Sequence, residues 1–300
     1  MARAPLVLVN PAAGGGRALR AASWIRERLE SRADARLVVT SRPGHAESLA
    51  SEAHARGHGR VIAVGGDGTV QEVINGLLAG GGPVELGIVP LGSGNDLARS
   101  LALARGLEPG WRVAIGSRTR TIDVALARNG SGHERWFASA GGIGFDAQVA
   151  ASMAERSWWQ LGRAGYLATT LVELKRFHNA FVTIDVDGDT REASVLFVAI
   201  ANGPLYGGGM RIAPAARLDD GQLDVCVVGD ISRLTALRQL PNLYRGTHVS
   251  HPQVAMQRGA SITIGGEANT RIHLDGEPFG GLPLAVSTGW RSVEVAVGGH

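Results

Sequence analysis

Asp67 stands inside the run Gly65-Gly66-Asp67-Gly68-Thr69, Asp275 and Glu277 flank a single glycine, and Asp219, Asp220 and Asp224 crowd into six residues. Two further glycine-rich segments, Asn10-Pro11-Ala12-Ala13-Gly14-Gly15-Gly16 and Pro90-Leu91-Gly92-Ser93-Gly94-Asn95-Asp96, share with the first a place directly after an apolar run. Glycines there let backbone N–H groups approach a phosphate, and a helix N-terminus adds partial positive charge. Any one of these segments could be only a tight strand–helix turn; three at the same sheet edge point to a phosphate-binding crevice. A carboxylate in such a turn would repel phosphate unless a divalent cation lay between them, so Asp67 suggests a Mg²⁺-related or catalytic role. The structural alternative is a helix N-cap. Asp275-Gly276-Glu277 offers two carboxylates that point the same way if the segment is extended, with Gly276 leaving room for substrate. Such a pair could take the proton of an acceptor hydroxyl in phosphoryl transfer; the alternative is an ordinary Asp-Gly turn. Asp275 is the first choice as base, Glu277 the next, with Asp67 assisting through Mg²⁺. The Leu218–Asp224 acids and Gly221 suit Mg²⁺ or Ca²⁺ holding loops together, or else a solvated turn.

Elements must position these residues. Through residue 126, short apolar runs alternate with helical patterns, which predicts a parallel sheet covered by helices. Strands are expected at Leu6–Val9, Ala35–Val39, Val61–Val64, Leu86–Val89 and Thr121–Leu126. Helices are expected at Leu19–Leu29, Ala46–Ala55, Val70–Leu78 and about Asn95–Leu101. From residue 127 the pattern becomes strand-rich, with strands at Trp136–Ser139, Phe181–Val186, Ser194–Ala201, Leu223–Val228, Ser261–Ile264, Arg271–Leu274 and Leu284–Val286. Asp187-Gly188 reads as a hairpin turn. Two helices interrupt, about Asp146–Leu174, broken near Gly162, and Ser232–Tyr244. This half predicts a mostly antiparallel sandwich or barrel. The alternating Val293, Val295 and Val297 could belong to either half.

Composition narrows the classes. Gly makes up 43 of 300 residues, about twice the ordinary share of about 7%, without the period of collagen. A single cysteine, Cys226, excludes an intramolecular disulfide; it lies in an apolar strand and reads as core. Apolar stretches are too short to span a bilayer, and no signal peptide is legible. These features predict a cytoplasmic protein without a transmembrane segment. Lys175 is the only lysine among 30 basic residues, so no Walker A loop exists. A net charge of +3 without basic runs interleaved with aromatics argues against nucleic acid. The histidines lack metal-binding spacing, and His45, His54 and His58 are expected to be exposed. Trp158-Trp159 reads as packing, with a lipid–water interface as the alternative.

The run Val61–Gly76 resembles the signature of the diacylglycerol kinase catalytic domain, a superfamily that includes bacterial lipid kinases, sphingosine kinases and ceramide kinases. Leu91–Arg99 is similar to its second nucleotide loop, and Gly141–Asp146 to its glycine turn. Asn202–Ala213, Leu218–Asp224 and Leu274–Glu277 resemble its second-domain signatures. The resemblance spans about residues 5 to 298 and lies closest to the bacterial branch. It implies a Rossmann-like α/β domain of the NAD kinase and phosphofructokinase kind over residues 1–126, and a mostly antiparallel β-sandwich lipid domain over 127–300, the last strand perhaps returning to the first. It further implies that Asn10, Pro11, Ala12, Ala13, Gly14, Thr40, Gly66, Asp67, Gly68, Thr69, Val70, Gln71, Glu72 and Ser93 line an ATP site. Asp275 and Glu277 would be catalytic carboxylates. Arg217, Asp220 and Gln222 would hold a structural Mg²⁺, the first and last through their carbonyls. Gln71 stands where the family usually has Asn.

Together these readings predict an ATP- and Mg²⁺-dependent kinase acting on a diacylglycerol-like or sphingoid hydroxyl at a membrane surface, peripheral on the inner face. The oligomeric state is left open, a homodimer included. The rivals are a soluble small-molecule kinase of NAD kinase type and a nucleotide-binding regulator without turnover.

Overall fold

The computed structural model describes residues 4–30, 35–155, 168–170, 172–173 and 179–299. The expected break at Gly162 and the Trp158-Trp159 pair lie outside the described residues. The chain forms two compact units, Met1–Ile122 with Ser292–His300, and Asp123–Arg291.

The first unit is built on a six-stranded sheet. Its strands are β1 (Pro5–Val9), β2 (Arg36–Val39), β3 (Arg60–Gly65), β4 (Glu85–Pro90), β5 (Thr119–Asp123) and the C-terminal β17 (Ser292–Ala296), in the order β2-β1-β3-β4-β17-β5. The β1–β2, β1–β3, β3–β4 and β4–β17 pairs are parallel. Fully buried Val61–Val64 and Leu6–Val9 make the near-continuous apolar runs expected where helices cover both faces. Helix α1 spans Ala13–Leu29, and its regular part buries Ala18, Ala21, Ala22, Ile25 and Leu29 on one stripe. It starts earlier than the apolar periodicity suggested, because Gly14, Gly15 and Gly16 form a left-handed run (φ 61°, 64° and 83°) joined to it. Helices α2 (His45–Ser51), α3 (Asp67–Gly80) and α4 (Asp96–Ser100) follow β2, β3 and β4, as expected. Helix α5 (Leu107–Ala114) was not legible, since Pro109 and Gly110 lie in its first turn. His58 is buried, with Nδ1 3.1 Å from the Ala4 carbonyl, and His45 and His54 are half-buried, so the expectation of exposure fails for all three.

The expected single strand Thr121–Leu126 is two strands. β5 ends at Asp123, and β6 (Ala125–Asn129) begins the sheet of the second unit. That sheet has eleven strands among the described residues, paired antiparallel. Its remaining strands are β7 (Glu134–Phe137), β8 (Ala140–Gly144), β9 (Ala180–Val186), β10 (Asp189–Ala201), β11 (Leu223–Gly229), β12 (Val254–Gly259), β13 (Ser261–Gly266), β14 (Arg271–Leu274), β15 (Glu277–Gly281) and β16 (Leu284–Ser287). The long strand β10 changes partners at a bulge between Val195 and Phe197: its first half pairs with β9, its second with β8 and β11. Val195, Val198 and Ile200 enter one core, while Leu196, Phe197 and Ala199 enter another, which explains an apolar run without polar alternation. Helix α6 (Phe145–Glu155) starts where the helical pattern was read, and α7 (Arg233–Arg245) is capped by Ser232, whose hydroxyl accepts the Thr235 N–H at 3.2 Å. Cys226 is buried in β11, and burial pushes its thiol up to about 12, so it is core as expected. No helix among the described residues is long and apolar enough to cross a membrane.

Candidate active site

In the first unit the glycine segments converge at the carboxyl ends of β1, β3 and β4. Asn10 follows β1; its Nδ2 donates to Thr69 Oγ1 at 3.0 Å, and its Oδ1 accepts from Ala12 N at 3.1 Å. Thr40 follows β2, and both its N–H (2.8 Å) and its hydroxyl (3.3 Å) donate to the Val9 carbonyl beside Asn10. The Leu91 and Gly92 N–H groups donate to the Gly65 carbonyl at 2.9 and 3.0 Å. Gly66 and Gly92 meet face to face: a Cβ on Gly66 would lie 3.1 Å from Gly92 Cα, and one on Gly92 would fall onto Gly66 Cα. A side chain at either position would pry the two loops apart.

Asp67 spans the same two loops. Its Oδ2 accepts from Asn95 N and its Oδ1 from Asp96 N, both at 2.6 Å. The carboxylate thus caps α4 rather than its own helix, whose N-cap is Gly66. Burial pushes the Asp67 carboxyl above the ordinary carboxylate value, against the pull of the Asp96 and Asn95 N–H groups and of Arg99. Ser93 is exposed at the tip of this loop, and Gly14 and Gly68 are half-exposed at the entrances of α1 and α3. Pro11 is half-exposed and Ala12 exposed, whereas Ala13, Thr69, Val70 and Gln71 are buried; the Ala13 N–H donates to the Asn10 carbonyl at 3.2 Å and the Val70 N–H to the Gly66 carbonyl at 3.1 Å. Glu72 does not face an open crevice with a free carboxylate: Oε1 accepts from Gly44 N at 2.9 Å and Oε2 from Ala46 N at 3.1 Å, holding the entrance of α2.

Arg17 escaped the sequence reading. Its guanidinium donates to the carbonyls of Gly14 (3.0 Å) and Leu91 (3.3 Å), joining the first and third glycine segments. The only signal was its place one residue beyond the glycine run. Replacing Gly92 with Ala is expected to raise the KM for ATP at least ten-fold and to cost about 1–3 kcal/mol of stability through overpacking. Ser93→Ala, on the exposed tip, should leave the melting temperature nearly unchanged; steady-state kinetics and thermal melts check the pair.

In the second unit, Asp275 and Gly276 form a two-residue turn between β14 and β15, with φ 49° and 88°. Positive φ at both positions is the hairpin geometry that Asp-Gly favours. The extended arrangement expected for Asp275-Gly276-Glu277 is therefore replaced by a turn, with Glu277 opening β15. The Asp275 carboxylate reaches back to the segment before β8: Oδ1 accepts from Ser139 N (2.9 Å) and Ala140 N (3.1 Å), and Oδ2 from Ala138 N (3.1 Å). Glu277 is exposed.

In the 218–224 loop the acids gather around an arginine. Asp220 Oδ1 accepts from Gln222 N at 3.2 Å, and its Oδ2 pairs with the Arg258 guanidinium, which also lies 3.5 Å from Asp224. The Arg217 side chain is 3.4 Å from Asp219, and Gly221 N donates to Asp123 at 2.7 Å. Burial pushes the Asp224 carboxyl up, Arg258 opposes that shift, and Asp220 adds to it. Among the described residues no group of three acidic, His or Cys side chains could hold a metal. The Arg258 guanidinium supplies positive charge beside Asp220 and Asp224.

An apolar cleft lies between the second unit's sheet and α7. Phe145, Leu196, Phe197, Leu237, Leu240 and Leu243 are among its lining residues. Asp146 also lines it, and its Oδ2 lies 3.0 Å from His273 Nε2 in a pair whose side chains are both only 3% exposed. Tyr206 stacks on His273 with ring centroids 6.1 Å apart. The pair ties the start of α6 to the strand that leads into Asp275.

The chain thus combines a parallel α/β unit with glycine loops at its strand ends and an antiparallel unit carrying an acidic turn. The diacylglycerol kinase catalytic domain matches residues 4–127, and the YegS C-terminal NAD kinase beta sandwich-like domain matches residues 139–297. The chain is 31% identical to the "Diacylglycerol kinase" of Mycobacterium tuberculosis, over 93% of this chain and 90% of that one. It is also 31% identical to the "Probable lipid kinase YegS-like" of Pseudomonas aeruginosa, over 98% and 94%. A crystal structure from Bacillus anthracis str. Sterne superimposes with a TM-score of 0.82 at 25% identity, covering 99% of this chain and 96% of that one. The chain belongs to the diacylglycerol kinase family and is a kinase of that family.

Proposed function

We propose that the protein transfers the γ-phosphoryl group of ATP to the hydroxyl of a diacylglycerol-like or sphingoid lipid. The observation that carries the lipid half of this reading is the apolar lining of the cleft in the unit that also bears Asp275. The ATP half rests on the converging glycine segments. The N-terminus of α3 presents N–H groups without intrahelical partners, which suits a phosphate chain. Asn10, Thr40, Gly14 and Ser93 border that end of the sheet. Arg17 and Glu72 act as positioning residues for the surrounding loops.

Phosphoryl transfer asks mainly for positioning and charge neutralisation. Mg²⁺ accompanying ATP would supply neutralisation between the phosphates, with Asp67 the carboxylate of the crevice. Asp275 would orient the acceptor hydroxyl and take its proton; Glu277 is the second carboxylate of the turn. A loose transition state makes modest demands on the basicity of this group.

The test is direct: incubate the protein with labelled ATP, Mg²⁺ and a broad panel of diacylglycerols, sphingoid bases and NAD, then follow label by mass spectrometry. Label in a lipid hydroxyl is the expected result. Label in NAD alone, or in none of the panel, would overturn the reading.

A further inference from the structure

Strand β14 sends Ile272 and Leu274 into the core of the second unit, so His273 between them faces the other side of the sheet. Helix α6 packs against β8, β14 and β15, and the Asp146–His273 pair joins its first turn to β14. Gly142 lies across from His273 in β8, and a Cβ there would stand 2.4 Å from Asp146 Oδ2 and 3.1 Å from His273 Nε2. A glycine in the facing strand thus leaves the space in which the two groups meet. The pair is a weak source of stability. Asp146 Oδ1 accepts the Ala147 N–H at 2.8 Å at the start of α6, where a carboxylate is favoured without a histidine. His273 Nδ1 is buried and has no hydrogen-bond partner among the described residues, and apolar side chains of similar volume commonly replace a buried polar pair at little cost. What the pair fixes is position. Asp146 lines the apolar cleft, as does Tyr206, which stacks on the imidazole. His273 stands two residues before Asp275, whose N–H donates to the Ala140 carbonyl at 2.8 Å and whose carboxylate is held by the Ala138, Ser139 and Ala140 N–H groups. Strand β8 therefore meets both ends of the link, Asp275 at Ala140 and His273 at Gly142.

We propose that His273 is a positioning residue for phosphoryl transfer: by holding Asp146 it sets the wall of the apolar cleft against the Asp275 turn, so that a hydroxyl presented from the cleft meets that carboxylate. The proposal rests on the lipid kinase reading for the step it serves, and on the buried pair for the link itself. Transfer is sensitive to distance, and a misplacement of about 1 Å costs on the order of a hundred-fold in rate. A carboxylate only accepts, so the proton of this hydrogen bond belongs to Nε2 of His273. A glutamine amide can supply the same donor; a leucine cannot.

The experiment compares the unaltered chain with His273→Leu, His273→Gln and the double variant Asp146→Asn/His273→Leu. The double variant removes the buried charge together with its partner and so keeps the test open if the single leucine change fails to fold. Two readouts are taken on each full-length protein: steady-state transfer from labelled ATP to dioctanoylglycerol, and hydrogen exchange at the Ala138–Ala140 amides. Both leucine variants are expected to lose about ten- to a hundred-fold in kcat with the KM for ATP unchanged, and to exchange at Ala138–Ala140 about ten-fold faster, while β1 and β3 of the first unit exchange as before. His273→Gln is expected to stay within a few-fold of the unaltered chain in both. Unchanged exchange at Ala138–Ala140 in the leucine variants, unchanged kcat in either of them once folded, or a glutamine variant as impaired as the leucine one would each overturn the proposal. A failure of the unaltered chain to label dioctanoylglycerol would count against the kinase reading alone, and the exchange contrast would then decide whether the link from the cleft wall to the Asp275 turn stands.

Discussion

Asp67→Asn is expected to lower kcat by at least a hundred-fold and to raise the KM for ATP in the same measurement. The amide keeps one acceptor oxygen but turns an NH₂ group toward a backbone N–H that the carboxylate held at 2.6 Å. Leaving one such donor unsatisfied costs about 1–3 kcal/mol, which lowers the melting temperature by about 2–4 °C per kcal/mol in a chain of this size or somewhat smaller. Asp67→Glu should not rescue activity. A Cβ at Gly94 would already lie 2.5 Å from Asp67 Oδ2, so the loop backbone leaves no room for a longer side chain. The combination of falling kcat and falling melting temperature follows from one carboxylate that both faces the crevice and ties its two loops. A variant that melts lower yet turns over normally would reduce Asp67 to a loop tether.

The second large effect is expected at the acidic turn. Asp275→Asn should lose about 10²- to 10⁴-fold in kcat, the range typical for removal of a general base, with the KM for lipid little changed. It should also melt lower, because Ala138, Ser139 and Ala140 share its carboxylate oxygens. Glu277→Gln, at an exposed position that opens β15, should melt like the unaltered protein. Its kcat then decides the assignment: a modest loss leaves the proton with Asp275, while a loss as large as that of Asp275→Asn moves the role to Glu277. Retained turnover in Asp275→Asn would have the same meaning.

Much of the first unit was readable because its signals are local. Apolar runs of four or five residues followed by glycines mark β1, β3 and β4 and the turns after them, and the structure brings those turns together. What escaped depends on contacts distant in sequence. Strand β8 is Ala-Gly-Gly-Ile-Gly, a poor strand former by propensity; its glycines are required because a Cβ at Gly142 would meet Asp146 and the Val198 carbonyl. Strand β15, Glu-Pro-Phe-Gly-Gly, was hidden for the same reason. Asp187-Gly188 and Asp275-Gly276 are the same dipeptide in the same left-handed turn. The first was read as a hairpin because alternating strands flank it, and the second as extended because its acids suggested chemistry. The glycine turn named Asp67 as a site residue and the family resemblance named Glu72, but only the fold reveals that both carboxylates hold backbone donors. The arginine that joins two glycine segments, Arg17, carries no motif at all.

The place of β17 has a consequence for biosynthesis. Residues 292–296 lie between β4 and β5, strands made roughly two hundred residues earlier on the ribosome. Until they emerge, the first unit must wait with a gap in its sheet and the apolar edge of β4 uncovered, while the intervening unit is completed. Trimming only the last dozen residues would therefore be felt at the opposite end of the gene product, in the half that carries the glycine loops.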